Sequence, residues 1–204
     1  KVKHFIYASS SSVYGLNDKF PFDESIDTSF PSSLYGATKK TNEVIAFSYS
    51  QNFKLPTTGL RFFTVYGPFG RPDMSLFKFV KNILNNKKIT LFNQGKHTRD
   101  FTYVNDVVEC IEKLIYNPPK KINLKVNFRN KNIPFQIFNI CSSNRIKLRT
   151  YLSLIENYLN RKSLKKYGSL QKGDVKDTFG RNKKIKLKVN KINFTNISLG
   201  IKNF

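Results

Sequence analysis

A tyrosine and a lysine four residues apart are the first residues here whose spacing could do chemistry. In SLYGATKK (33–40), Tyr35 and Lys39 stand one helical turn apart, with Lys40 directly after. On a helix, side chains at that spacing share a face. A phenol, with an ordinary pKa of about 10, is a poor base at neutral pH. An ammonium beside it favours the phenolate and brings it toward general acid–base catalysis. The amphipathic start of any helix fits the same pattern, so the pair alone leaves both readings open. Other polar groups accompany it. Upstream, ASSSSVYG (8–15) gathers hydroxyls at the end of an apolar run. Downstream, RFFTVYGPFGRPDM (61–74) and RDFTYVNDV (99–107) carry arginines beside turns and strand ends.

The elements that must position these residues alternate in type. HFIYAS (4–9) reads as a fully buried strand, whose carboxyl end faces a site in an open α/β sheet. A proline-marked loop leads to a helix from Tyr35 to about Asn52, with apolar residues Val44, Ile45, Phe47 and Tyr49. TTGLRFF (57–63) is a second strand, ending in a Gly- and Pro-rich turn. Then follow a helix over MSLFKFVKNILNNK, strands KITLFN (88–93) and RDFTYV (99–104), and a helix over 105–117 capped by Asn105. PPKKINLKVNFRNKNIP is a polar, basic insertion before the strand FQIFNIC (135–141) and the helix LRTYLSLIENYLNRK. The last 40 or so residues, rich in Lys and Asn, show little pattern. Strands alternating with helices predict an α/β protein with a mostly parallel sheet.

Composition narrows the classes. The 204 residues carry 36 Lys and Arg against 13 Asp and Glu, a net charge of +23. Such charge suits an anionic partner. The basic runs 120–132 and 181–191 come without zinc-finger, helix-turn-helix or RNA-binding aromatic patterns, so no specific nucleic-acid binding is expected; an acidic small substrate fits the same charge. No apolar run approaches membrane-spanning length. Cys110 and Cys141 lie in apolar contexts and read as reduced, buried residues of a cytoplasmic protein. His4 and His97 lack ligand spacing, so no metal is expected.

Taken together and in order, SSSSVYG, Tyr-x-A-T-K-K, TGLRFFTVYGP with GRPDM, and RDFTY resemble the extended short-chain dehydrogenase/reductases, within them the nucleotide-sugar epimerases and dehydratases, and most closely the UDP-glucuronate 4-epimerases. Phe69 stands where a tryptophan is common, and Cys141 where glycine is frequent. Dehydratases of this family carry Thr-Asp-Glu where this chain has Ser10, Ser11 and Ser12, so a dehydrating acid is missing. Decarboxylating relatives place glutamate at the Ser12 position, and galactose-type epimerases place asparagine at Thr64.

The resemblance implies roles. Tyr35 takes the proton from the sugar 4-hydroxyl while hydride leaves C4 for NAD, which is regenerated each cycle. Lys39 holds the nicotinamide ribose and depresses the tyrosine pKa, Ser10 bridges sugar hydroxyl and tyrosine, and Phe62 belongs to the cofactor side. Ser10, Ser11, Ser12 and Thr64 hold the sugar carboxylate. Arg71 and Arg99 contact the diphosphate, Phe92 stacks on uracil and Asp174 lies near the ribose. Gln171 stands where many relatives have arginine. A homodimer is implied for the intact protein.

The expected organisation is the C-terminal part of a Rossmann-like sheet with interleaved substrate-binding segments (1–145), followed by a small α/β substrate-binding region (146–204). The chain starts without Met inside an apparent core strand, and no G-x-x-G-x-x-G phosphate loop occurs in it. It therefore reads as the later part of a longer enzyme, nearly inactive alone. A decayed, inactive homologue and a basic binding protein for an anionic partner are the alternatives.

Overall fold

Strand β1 (Phe5–Ser10) delivers the serine cluster, and its neighbours fix where that cluster points. In a computed structural model that describes residues 2–120, 122–126, 129–169, 175–190 and 192–204, β1 pairs in parallel with β2 (Thr57–Phe62). Strand β2 pairs in parallel with a later strand over Phe135–Ile140. The order puts β1 at the edge, with Phe5 and Ala8 exposed. Among the described residues β1 pairs on one side only, so its expected full burial is seen at Ser9 and Ser10 alone, while all of β2 but Phe62 is buried.

Helix α1 (Leu34–Phe53) follows the proline loop. The Ser33 hydroxyl caps it by accepting from the Gly36 N–H at 3.1 Å. It ends where Lys54 turns left-handed ahead of Pro56. The helix buries Gly36, Glu43, Ala46 and Ser50, a stripe of small residues around one carboxylate. A Cβ on Gly36 would lie 2.6 Å from the Ser12 carbonyl oxygen, so glycine is what lets the first turn of α1 press on the serine turn.

The chain divides into two compact units, residues 1–62, 108–140 and 181–192 in the first and 63–107, 141–180 and 193–204 in the second. The second opens with β3 (Thr64–Tyr66) and α2 (Ser75–Leu84), then β4 (Ile89–Phe92), β5 (Thr98–Tyr103) and the first turn of α3 (Val104–Ile115). Asn105, expected as the cap, is the second residue of α3, a shift within the ordinary spread of helix ends. Back in the first unit, the basic insertion is an antiparallel hairpin, β6 (Ile122–Val126) on β7 (Arg129–Ile133), leading into β8 (Phe135–Ile140). The second unit resumes with β9 (Arg145–Lys147), α4 (Leu148–Leu159) and β10 (Lys165–Gly168). Short helices α5 (Lys183–Val189) and α6 (Ile197–Lys202) complete the first and second units respectively.

In the second unit β3 pairs in parallel with β5, β5 antiparallel with β9, and β4 in parallel with β10. Its core joins Leu76, Phe79 and Ile83 of α2 to Phe101 of β5 and Tyr151 and Ile155 of α4. Phe101 and Tyr151 stack at 4.1 Å with planes 10° apart. No helix among the described residues is long and apolar enough to cross a membrane. Cys110 and Cys141 are both fully buried and neither forms a disulfide.

Candidate active site

In the first unit, Tyr35 is the second residue of α1, and its ring is more than half exposed. The Lys39 ammonium lies 5.7 Å from the centre of that ring and donates to the Ala8 carbonyl of β1 at 3.2 Å. The adjacent Lys40 turns elsewhere, donating to Thr28 Oγ1 at 2.6 Å. Geometry thus separates two lysines that are consecutive in sequence. Ser10 ends β1 and sits opposite Phe62, the last residue of β2. Its hydroxyl accepts from the Ser12 N–H and donates to Ser12 Oγ, each at 3.2 Å. Ser11 and Ser12 are half-buried in a 3-10 turn that continues to Tyr14. Tyr35, Lys39, Ser10, Ser11, Ser12 and Phe62 therefore all belong to β1, β2 and the segments at their carboxyl ends, or to the helix lying across them, where open α/β sheets collect ligands.

Beneath these groups lies a buried network that the motifs did not reveal. Glu43, two turns along α1 from Tyr35, is 3% exposed, as is Arg61 of β2. Arg61 donates through Nε to Glu43 Oε1 at 2.8 Å and through Nη2 to Oε2 at 2.9 Å. Ser9 Oγ donates to Glu43 Oε1 at 2.6 Å. The guanidinium also lies 4.8 Å from the Tyr14 ring centre, and Tyr14 donates to Asn139 Oδ1 of β8 at 2.7 Å. Burial pushes the Tyr14 phenol up to about 12. Burial works most strongly against the Arg61 charge, yet hydrogen bonding to Glu43 together with the electrostatics of Tyr14 and Glu43 offsets it and holds the guanidinium above its ordinary value. The available signal in sequence was an arginine inside a strand of otherwise uncharged residues, TTGLRF.

In the second unit, Thr64 opens β3 opposite Phe101 and lines a cavity of about 330 Å³ together with Arg71, Phe69 and Met74. Arg71 grips Asp73 with Nε to Oδ1 at 3.0 Å and Nη2 to Oδ2 at 2.5 Å, both side chains largely exposed. The Arg71 guanidinium holds the Asp73 carboxyl below the usual carboxylate range. Phe92 ends β4 over Gly168 of β10, where a Cβ would come within 3.1 Å of the ring. Arg99 of β5 donates to the carbonyls of Thr98 at 2.9 Å and Lys176 at 3.2 Å. The cavity lining includes Thr64 and Arg71 but not Phe92 or Arg99. Asp174 and Gln171 lie outside the described residues.

Asp177, unremarked in sequence, accepts from the Thr98 N–H at 3.0 Å and pairs with Arg145 at 3.0 Å, fastening its segment to β5. Asp100 is fully buried, accepting from the Ser142 N–H and hydroxyl and from the Gly180 N–H. Burial pushes its carboxyl up to about 6 against those hydrogen bonds. No cluster of three or more His, Cys, Asp or Glu able to hold a metal ion occurs among the described residues.

The chain is similar to known proteins. Residues 1–127 match the model of the NAD dependent epimerase/dehydratase family. Protein CapI of Staphylococcus aureus is 47% identical over 182 residues, covering 87% of this chain and 54% of that protein. A probable UDP-glucuronate 4-epimerase of Rhizobium meliloti (strain 1021) is 42% identical over 182 residues, covering 87% of this chain and 53% of the relative. The chain thus spans about half the length of these curated relatives. Among solved structures, UDP-glucuronic acid 4-epimerase from Bacillus cereus, in complex with UDP-glucuronic acid and NAD, superposes with a TM-score of 0.85 at 29% identity, covering all of this chain and 60% of that one.

Proposed function

The chain belongs to the NAD dependent epimerase/dehydratase family, and we propose that within it the chain serves the 4-epimerisation of UDP-glucuronate to UDP-galacturonate. The observation that carries this reading is the Tyr35–Lys39 pair at the end of β1, with the hydroxyls of Ser11 and Ser12 where a dehydratase needs carboxyl groups. Tyr35 is placed to accept the proton of the sugar 4-hydroxyl and to return it, its exposed ring leaving the phenol open to a ligand. Lys39 supplies the positive charge that favours the phenolate. The Ser10 hydroxyl, at the strand end, relays the proton between sugar and phenol.

The donor set fits the nicotinamide-ribose end of NAD: an exposed phenol and an ammonium on one helix face. Bound there, NAD would supply the transient oxidation at C4. The sequence contains no G-x-x-G-x-x-G loop for the pyrophosphate, so the 204 residues by themselves turn over little or no substrate. In the first unit Ser10, Ser11 and Ser12 are the hydroxyl donors offered to the uronate carboxylate; in the second, Thr64 offers a hydroxyl, and Arg71 and Arg99 offer their guanidinium groups to the diphosphate. Phe92 stacks on the uracil.

The test joins this chain to the portion of the Bacillus cereus enzyme that it does not span and follows UDP-sugars by NMR. Interconversion of UDP-glucuronate and UDP-galacturonate, lowered at least about 100-fold by Tyr35→Phe, is expected for a lost general base. A folded hybrid that binds UDP-glucuronate but yields only decarboxylated or dehydrated sugar overturns the assignment.

A further inference from the structure

We propose that Glu43 is a positioning residue, whose clamp by Arg61 and Ser9 sets the rotation of α1 on β1 and so holds the Tyr35–Lys39 face at the end of that strand, where Lys39 reaches the Ala8 carbonyl. The inference rests on the reading of Tyr35 and Lys39 as the proton-transfer pair. Three observations carry it.

The first is helical phase. Tyr35, Lys39 and Glu43 follow at i, i+4 and i+8, so they descend one face of α1 from the exposed phenol to a carboxylate that is 3% exposed. A slip of one residue would swing that face by about 100° and carry Tyr35 off the end of β1. The apolar stripe of α1 specifies this rotation weakly, because apart from Glu43 it buries only Gly36, Ala46 and Ser50. Small side chains interdigitate little. The Arg61 fork, by contrast, accepts one orientation of the Glu43 carboxylate, with two bonds at 2.8 and 2.9 Å.

The second is adjacency. Each member of the network neighbours a residue of the site. Ser9 precedes Ser10, Arg61 precedes Phe62, Tyr14 ends the turn that contains Ser11 and Ser12, and Glu43 lies one turn from Lys39. Strand alternation sends Ser9 to the α1 side, where it donates to Glu43, and leaves Ser10 to the serine turn.

The third is cost. A buried ion pair loses hydration that its Coulomb attraction only partly returns, and a well-packed apolar pair of the same volume is often as stable. Stability alone is thus a weak reason for charge at this position, whereas orientation is a sufficient one. Charged groups facing Glu43 are Arg61 from β2 and Lys40 from its own helix at 4.0 Å; the buried Tyr7 phenol, held above its ordinary value by burial and then by Glu43, faces it from β1.

The experiment reads that placement directly. In the full 204-residue chain with selectively labelled Ala and Lys, the Ala8 resonances are identified by their loss in Ala8→Ser. A nuclear Overhauser cross-peak between the Lys39 ε-protons and Ala8 reports the contact of α1 with β1. Glu43→Gln, and Arg61→Lys, which keeps the charge but loses the fork, are expected to abolish the cross-peak while the amide spectrum stays dispersed. A folded Glu43→Gln or Arg61→Lys chain with the wild-type cross-peak overturns the proposal and reduces the network to a stabilising one. Should neither variant fold, Ser9→Ala removes one hydrogen bond to the carboxylate without unpairing a charge and is judged by the same criterion. The hybrid activity assay is independent of this readout. If Tyr35→Phe leaves turnover intact while Glu43→Gln loses the cross-peak, the catalytic reading fails and the clamp stands.

Discussion

One ion pair in each unit holds its charge in the opposite way. The first unit buries Glu43 and Arg61 to 3% exposure beneath its candidate proton-transfer pair, while the second leaves Arg71 and Asp73 with side chains 76% and 55% exposed beside its cavity. A buried pair has one geometry and loses much when halved. An exposed pair is screened and exchanges readily for water or a ligand. The Glu43–Arg61 pair is framework; the Arg71–Asp73 pair is available for binding.

The largest effect tests that contrast head-on. Glu43→Ala leaves the Arg61 guanidinium buried without its carboxylate and is expected to destabilise the chain by about 3–5 kcal/mol. Asp73→Ala, at a fully solvated carboxylate, is expected to leave stability nearly unchanged. Urea denaturation of both variants checks the comparison, and similar losses would erase it.

The same contrast explains what was readable beforehand. Elements whose apolar period is local were legible: α1, α2 and α4 fall within a few residues of their expected spans, as do β2, β5 and β8. Tyr35 and Lys39 were legible because one helical turn contains both. Glu43 and Arg61 were not, since a glutamate on a helix and an arginine in a strand each look solvated until an 18-residue separation closes. The hairpin of β6 and β7 was hidden by its polar composition, because antiparallel register draws on backbone groups that every residue possesses. Asp100 looked like part of a motif and is a buried fastener between β5, Ser142 and Gly180.

A middle-sized effect comes from Asp100, where the second unit does bury a carboxyl. Its value is raised from 3.8 to about 6, first by burial, so between those values the folded chain holds a proton that the unfolded chain has released. The stability this gives is fully present below about pH 4 and is lost as pH rises through about 6. Asp73 and Asp177, whose values are lowered, act with the opposite sign, losing stability as pH falls through their folded values. They are common to the wild type and Asp100→Asn, so the difference in melting temperature between these two chains isolates the group. That difference is expected to shift against the wild type as pH rises from 4 to 6. A flat or reversed difference would show that the Ser142 and Gly180 donors keep Asp100 ionised.

The smallest expected effect bears on binding. Arg71 already spends its planar fork on Asp73, so a diphosphate oxygen arriving at the cavity beside Thr64 must compete with a carboxylate for the same two donors. Because the pair is exposed, that competition is weak. Asp73→Asn keeps the side-chain shape, removes the charge and is expected to tighten UDP binding by about two- to five-fold, with the gain shrinking as salt rises. Arg71→Gln is expected to weaken binding and to make the residue at position 73 irrelevant, so the two changes are non-additive. Calorimetric titration of UDP into the two single variants and the double variant measures this. Additive effects would mean that Arg71 holds Asp73 for the turn alone and that the phosphate lies elsewhere.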